Sequence, residues 1–215
     1  RLEFVNSDSA IINKFISFFD KRFEIPINKW SAFINYACDI NNPKRSNQEL
    51  LQYWSNKTQI PLPNFKRVNH LKSKQIRSAE YGTLHILIPS CVLGEICLSI
   101  LDIIEKMAVK SEDCASWFLR GLMAADGFAT LIKNKHYKTL GLVGLALETE
   151  HERKLYYDVM NKLNLKVKDY SIKDRKLCVC GWDDFFRLAK IDIFKLSKHR
   201  DDAFTNGFSN HKQTR

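Results

Sequence analysis

The chain has 215 residues, 45% of them hydrophobic and 27% charged, enough to bury a substantial core as one domain of two halves or as two small domains, which excludes a disordered chain. Lys and Arg number 34 against 24 acids, a net charge of +10, and this favours a polyanionic partner, nucleic acid first, over an acidic substrate or a bare protein surface. The six cysteines form no Cys-x-x-Cys pairs and sit partly in apolar runs such as Ile96-Cys97-Leu98, which argues against zinc and for reduced thiols in a cytoplasmic or organellar protein. No apolar stretch is long enough to span a bilayer, and no signal peptide opens the chain.

In chain order, Arg1 to Val5 reads as a strand and Asn6-Ser7-Asp8 as a cap for a helix over Ser9 to Phe23, with Ile11, Ile12, Phe15, Ile16, Phe18 and Phe19 on its apolar side. Trp30 to Cys38 alternates as a strand, Asn47 to Asn56 is a short helix started by Ser46 or Asn47, and Asn64 to Leu71 and Thr83 to Ile88 are strands joined by a basic link, Lys72 to Ser78. Cys91 to Met107 is a long apolar helix and Ser111 to Asp126 a second one. Strands at Phe128 to Lys133 and Leu140 to Leu147 follow, then a helix from His151 to Leu163, strands near Lys166 to Ser171 and Lys176 to Gly181, and terminal helices from Asp183 to Arg200. Residues 209–215 read as a flexible tail. The chain starts at Arg1 with a strand already under way, so a processed product or a fragment is expected.

Trp117 to Phe128 carries the most chemistry. Gly121 and Ala125, four residues apart, share one helix face and let a second helix approach closely. Asp126 stands at the end of that face, and Gly127 is free to take the left-handed conformation that ends a helix. Leu119-Arg120-Gly121-Leu122-Met123-Ala124-Ala125-Asp126-Gly127 resembles the LAGLIDADG motif of homing endonucleases, agreeing in place at Leu119, Gly121, Leu122, Ala125, Asp126 and Gly127, with Ala124 standing where the motif has its earlier acid. The resemblance implies an α/β (α+β) fold of two pseudo-repeats, each αββαββα, with antiparallel sheets forming a saddle over double-stranded DNA. It also implies Asp126 as catalytic acid and metal ligand, a Mg2+ or other divalent cofactor, and Gly121 and Ala125 as the helix-pairing residues.

The order of elements repeats. Leu2 to Asp8 with its Phe-rich helix corresponds to Val143 to Glu150 with the helix through Leu155, Tyr156, Val159, Met160 and Leu163. Each is followed by two further strands and an apolar helix, with a basic insertion only in the first half. Against the resembled repeat, residues 1–110 are a first half lacking its motif helix and first strand, about 25 to 30 residues, and 111–208 are a complete second half. Cleavage of both strands with metals normally draws an acid from each of two helices. The second acid comes from upstream residues, from a second copy of the chain, or from nowhere, in which case the protein binds DNA as a regulator, or RNA as an intron-splicing maturase, without cutting.

Asn47 to Ser55, Ile60 to Lys66 and Ser78 to Leu84 together look like a module of prokaryotic proteins of the same superfamily, a Trp-containing helix ahead of a basic strand and a Tyr-Gly turn. Lys66, Arg67, His70, Lys72, Lys74 and Arg77 crowd this strand and link, a basic ribbon suited to phosphates and base edges in a major groove. The resemblance implies alternating polar groups on DNA-facing strands of the second half, of which Thr130, Lys133, Asn134, Lys135, His136 and Lys138 supply some, with Lys173, Arg175 and Lys176 as alternatives for phosphate contact, whereas Leu140 to Leu147 is apolar on both faces. His136, His151 and His199 are too dispersed for a metal set. Glu148 with Glu150, and Asp183 with Asp184, read as charges at helix starts.

Overall fold

The alternating segments assemble into two four-stranded sheets, one in each of two compact units, Arg1–Leu98 and Ser99–Arg215. The computed structural model describes residues 1–38, 44–72, 79–133, 138–169 and 175–212. Among them, no helix is long and apolar enough to cross a membrane.

In the first unit β1 (Leu2–Asn6), β2 (Ser31–Cys38), β3 (Phe65–Lys72) and β4 (Thr83–Ile88) lie in the order β1-β4-β2-β3. Period-two alternation turns Ala32, Ile34, Tyr36 and Cys38 of β2 and Leu84, Ile86 and Ile88 of β4 to one buried face. The helices α1 (Ser9–Phe23) and α2 (Asn47–Thr58) bring their apolar sides to this core: Ile12 and Phe19 from α1, Leu50 and Trp54 from α2. Asp8 starts α1 by accepting the Ala10 N–H at 2.8 Å. Ser46 starts α2 through a reciprocal capping box with Glu49. The Trp54 indole N–H donates to the Tyr81 carbonyl at 2.8 Å, and the Tyr53 and Tyr81 rings stack at 3.6 Å. Trp54, Tyr81 and Gly82 of the Trp-helix and Tyr-Gly segments therefore meet in space. Gly82 has φ +73°, and a Cβ there would sit 2.6 Å from the Asn35 carbonyl oxygen, so only glycine fits.

This sheet is not wholly antiparallel. β4 pairs antiparallel with β1 and β2, but β3 runs parallel to β2. The chain between them passes through α2, and a helical crossover returns it to the same end of the sheet, the connection that parallel pairing requires.

The long apolar helix α3 (Cys91–Ala108) contains the division between the units. After it come α4 (Glu112–Ala125), β5 (Gly127–Lys133), β6 (Lys138–Ala146), α5 (Glu150–Lys162), β7 (Lys168–Asp169), β8 (Lys176–Val179), α6 (Trp182–Lys190) and α7 (Lys198–Lys212). The second sheet is antiparallel throughout, in the order β5-β6-β8-β7. Its core joins Leu119 and Met123 of α4 to Val143 and Leu145, Val159 and Met160, Leu177 and Val179, and Phe185, Phe194 and Phe204.

The terminal region holds helices, as expected, and differs from expectation in how far the last one reaches. Helix α6 stops at Lys190 and α7 starts at Lys198, separated by a turn in which Asp192 has φ +49°. Helix α7 then runs to Lys212, through the start of the expected tail, because Phe204 and Phe208 pack it onto the core. Asp183 and Asp184 fall in the first turn of α6, as read from the sequence, and Asp184 is also buried, its carboxylate accepting the Lys166 N–H at 3.0 Å.

One pairing pattern occurs in both units. In β6-β8-β7 the last strand of the three in sequence lies central and antiparallel to the other two, and a helix, α5, joins the first to the second. In β1-β4-β2 the same holds, with α1 as the helix and with α2 and β3 inserted before the last strand.

Candidate functional site

Helix α4 begins at Ser111, whose hydroxyl accepts the Cys114 N–H at 3.2 Å, with Glu112 and Asp113 in its first turn. Ala115, Leu119, Met123 and Ala124 are buried, while Gly121 and Ala125 lie exposed on the other side beside Trp117, which is 66% exposed. A Cβ on Gly121 would meet nothing within 4 Å. Packing within the chain does not demand glycine here, and the smooth face is open to a partner. An apolar groove of about 440 Å³ adjoins it, lined by Ile104, Met107, Trp117, Phe118, Gly121 and Leu122 among others.

Asp126 caps the carboxyl end of α4. Its N–H donates to the Leu122 carbonyl at 2.8 Å, and its carbonyl accepts the Ala146 N–H at 3.2 Å, so its backbone belongs to helix and sheet at once. Gly127 is not left-handed, contrary to expectation. Its role is close approach: a Cβ would lie 2.3 Å from the Met123 carbonyl oxygen, so only glycine lets β5 leave directly from the last turn of α4. The Asp126 side chain is partly exposed. Burial pushes its pKa up, the Arg200 guanidinium opposes that, and the Glu148 and Glu152 carboxylates add to it.

The neighbouring groups have defined tasks. Burial raises the Glu152 carboxyl, but hydrogen bonds from the Glu148 and Thr149 N–H groups, at 2.8 and 2.9 Å, outweigh it and hold the pKa below the usual range. Glu152 is thus committed to the α5 capping box, and Glu150 falls in the first turn of that helix. The Tyr156 hydroxyl is pushed up to about 12 by burial and by the nearby Glu152, Asp126 and Glu105 charges. His151 Nε2 lies 3.1 Å from a Glu105 carboxylate oxygen. Among the described residues no cluster of three or more His, Cys, Asp or Glu side chains forms a metal cage. One hard carboxylate oxygen at an open position still suits Mg2+, which usually takes one or two carboxylates and completes its shell with waters and substrate phosphates.

The basic ribbon of the first unit is divided by the pleat. Arg67 pairs with Phe33 on the face away from α1 and α2, its guanidinium 5.1 Å from the Phe33 ring centre. His70 pairs with the buried Tyr36 on the opposite face, where its ring contacts Asn47 Oδ1 at 2.6 Å and Cys38 Sγ at 3.4 Å. His70 therefore ties α2 to the sheet. Lys66 is exposed. The Lys72 side chain, Lys74 and Arg77 lie outside the described residues, as do the Lys133 and Lys138 side chains, Asn134, Lys135, His136 and Lys173.

The open face of this sheet carries groups that the charge pattern does not reveal. Asn69 Nδ2 donates to Asn35 Oδ1 at 2.8 Å, Asn35 Nδ2 donates to His85 Nε2 at 2.8 Å, and His85 Nδ1 donates to Glu3 at 2.9 Å. The chain of donors crosses all four strands and sets His85 as the Nδ1–H tautomer. Phe33 stacks on His85 at 4.3 Å. The sequence signal was the polar half of each alternating strand, Asn35 between Ile34 and Tyr36 and His85 between Leu84 and Ile86.

In the second unit Thr130 is exposed and pairs with Leu142. Strand β6 is buried along most of its length, and Gly144 is pressed so closely on β8 that a Cβ would lie 2.2 Å from the Leu177 carbonyl oxygen. Its apolar sequence is thus explained by packing, and Arg175, Lys176 and Thr130 remain the described polar groups that the sequence nominated there. Arg200 was not nominated, and nothing in its local sequence marks it.

A scan against protein-family models and searches of curated proteins and of solved structures find no match for this chain.

Proposed function

We propose that this chain is a sequence-specific, metal-dependent endonuclease of double-stranded DNA, of the LAGLIDADG homing type. The observation that carries the reading is Asp126 at the end of a helix whose Gly121 and Ala125 face is open to a second helix. The shared pairing pattern of β6-β8-β7 and β1-β4-β2 supports two pseudo-repeats, the first short of one strand and one helix. The +10 charge supports a nucleic-acid partner, and the polar open face of the first sheet supports base and phosphate contact there.

In this reading Asp126 would hold Mg2+, which would supply electrostatic stabilisation for phosphodiester hydrolysis. Arg67 and the lysines nominated above neutralise phosphates, and the Thr130 hydroxyl donates a hydrogen bond to one. The second helix and its acid come from upstream residues or from a second copy. A non-cleaving DNA-binding regulator or a splicing maturase on the same fold is the second reading, favoured by the lack, among the described residues, of any cluster of three or more His, Cys, Asp or Glu side chains fit to hold a metal.

Incubation with a randomised duplex library and Mg2+, followed by capture and sequencing of cut ends, tests cleavage. The expected outcome is cutting at a long site that Asp126→Asn abolishes without weakening duplex binding. Salt-sensitive binding with no cutting identifies the second reading, and an Asp126→Asn protein that cuts like the parent overturns the assignment.

A further inference from the structure

The carboxyl end of α4 passes into β5 without a loop, because Asp126 caps the helix and Gly127 opens the strand. Chain that would ordinarily fold back over the last helical carbonyls is already committed to the sheet, leaving groups that an α-helix cannot satisfy internally. The partner comes from α7. The Arg200 guanidinium donates through one nitrogen to the Ala124 carbonyl and through the other to the Ala125 carbonyl, the latter at 2.8 Å. Helix α7 is held for this task further along. Gly207 lies so close to β5 and β6 that a Cβ would come within 2.5 Å of Leu131 and 3.0 Å of Leu140, and Phe204 is buried in the core. A cation at a helix carboxyl end is favoured by the peptide dipoles, and a planar guanidinium presents both donors in one fixed geometry.

We propose that Arg200 is a positioning residue for Asp126: it clamps the two carbonyls that immediately precede the acid and sets a compensating positive charge beside a carboxylate that shares its surroundings with Glu148 and Glu152. This rests on the reading that Asp126 holds the metal. Capping alone would make Arg200 a contributor to stability. Positioning makes the metal affinity of the folded protein depend on the fork as well as on the charge.

The test uses Mn2+ alone as probe, titrated into the full chain and followed by the electron paramagnetic resonance signal of the free ion. The parent binds Mn2+, Asp126→Asn loses binding, and Arg200→Lys, which keeps the charge but loses the fork, binds about tenfold more weakly while folded by circular dichroism, a drop typical of disturbing a residue that orients a metal ligand. Arg187→Lys, a similar exchange in the same unit, leaves affinity at the parent value. Should Arg200→Lys fail to fold, Arg200→Gln, which keeps an amide donor for the carbonyls, takes its place and the same weakening is expected. Loss of binding in Asp126→Asn with parent-like affinity in the folded Arg200 variant overturns the positioning role and leaves Asp126 as the ligand. A parent that does not bind Mn2+, or an Asp126→Asn protein that binds as the parent does, overturns the metal reading itself and this inference with it.

Discussion

The two sheets share a strand pattern but use it differently. In the first unit one face packs on α1 and α2 while the other shows a line of Asn, His and Glu side chains with Arg67 and Phe33 beside it. In the second unit β6 is closely packed along most of its length, and the distinctive group, Asp126, stands at the entrance to β5. The contrast teaches that a repeated backbone need not repeat its chemistry: the first unit offers a surface for contact, the second a point charge held on a rigid junction.

That division can be broken or sharpened by experiment. The largest effect on stability is expected at the junction. Gly127→Ala drives a methyl into the Met123 carbonyl and destabilises the second unit by about 3 kcal/mol, at the upper end for overpacking. Gly121→Ala, with nothing near it, is neutral or stabilises by up to ~1 kcal/mol through helix propensity. Denaturant melts of both variants check the pair, and equal losses would mean that the open face of α4 is covered in solution.

A smaller effect is the alkaline stability of the second unit. The Tyr156 pKa of about 12 lies above the ordinary tyrosine value of 10.0, so the folded state holds the proton more tightly than the unfolded state. The resulting stability is present below pH 10 and is lost as pH rises towards 12, an effect on the order of 2–3 kcal/mol. Tyr156→Phe should flatten this alkaline loss in thermal melts recorded across the range. The smallest effect is on contact: Arg67→Ala should lower the slope of log affinity for duplex DNA against log salt by about one. An unchanged slope would remove the open face of the first sheet from the interface.

Much of the architecture was legible because it is encoded over short distances. The Ser46 and Asp8 caps, the alternation of β2 and β4, and the i, i+4 spacing of Gly121 and Ala125 each lie within a few residues of the structure they specify. Asp126 was legible as the acid that ends α4. The parallel seat of β3, the inward turn of His70 and the burial of Asp184 were not, since each depends on a strand or helix remote in sequence.

By itself, then, the sequence determined the elements, their order and the acid at the end of α4, because periodicity and capping act through neighbouring residues. Tertiary structure decided which face each basic side chain takes, why Gly127 must be glycine, and which cation stands beside Asp126. Arg200 reaches the Ala125 carbonyl across 75 residues of chain, and a contact of that span follows from how helices and sheet pack, which no local pattern records.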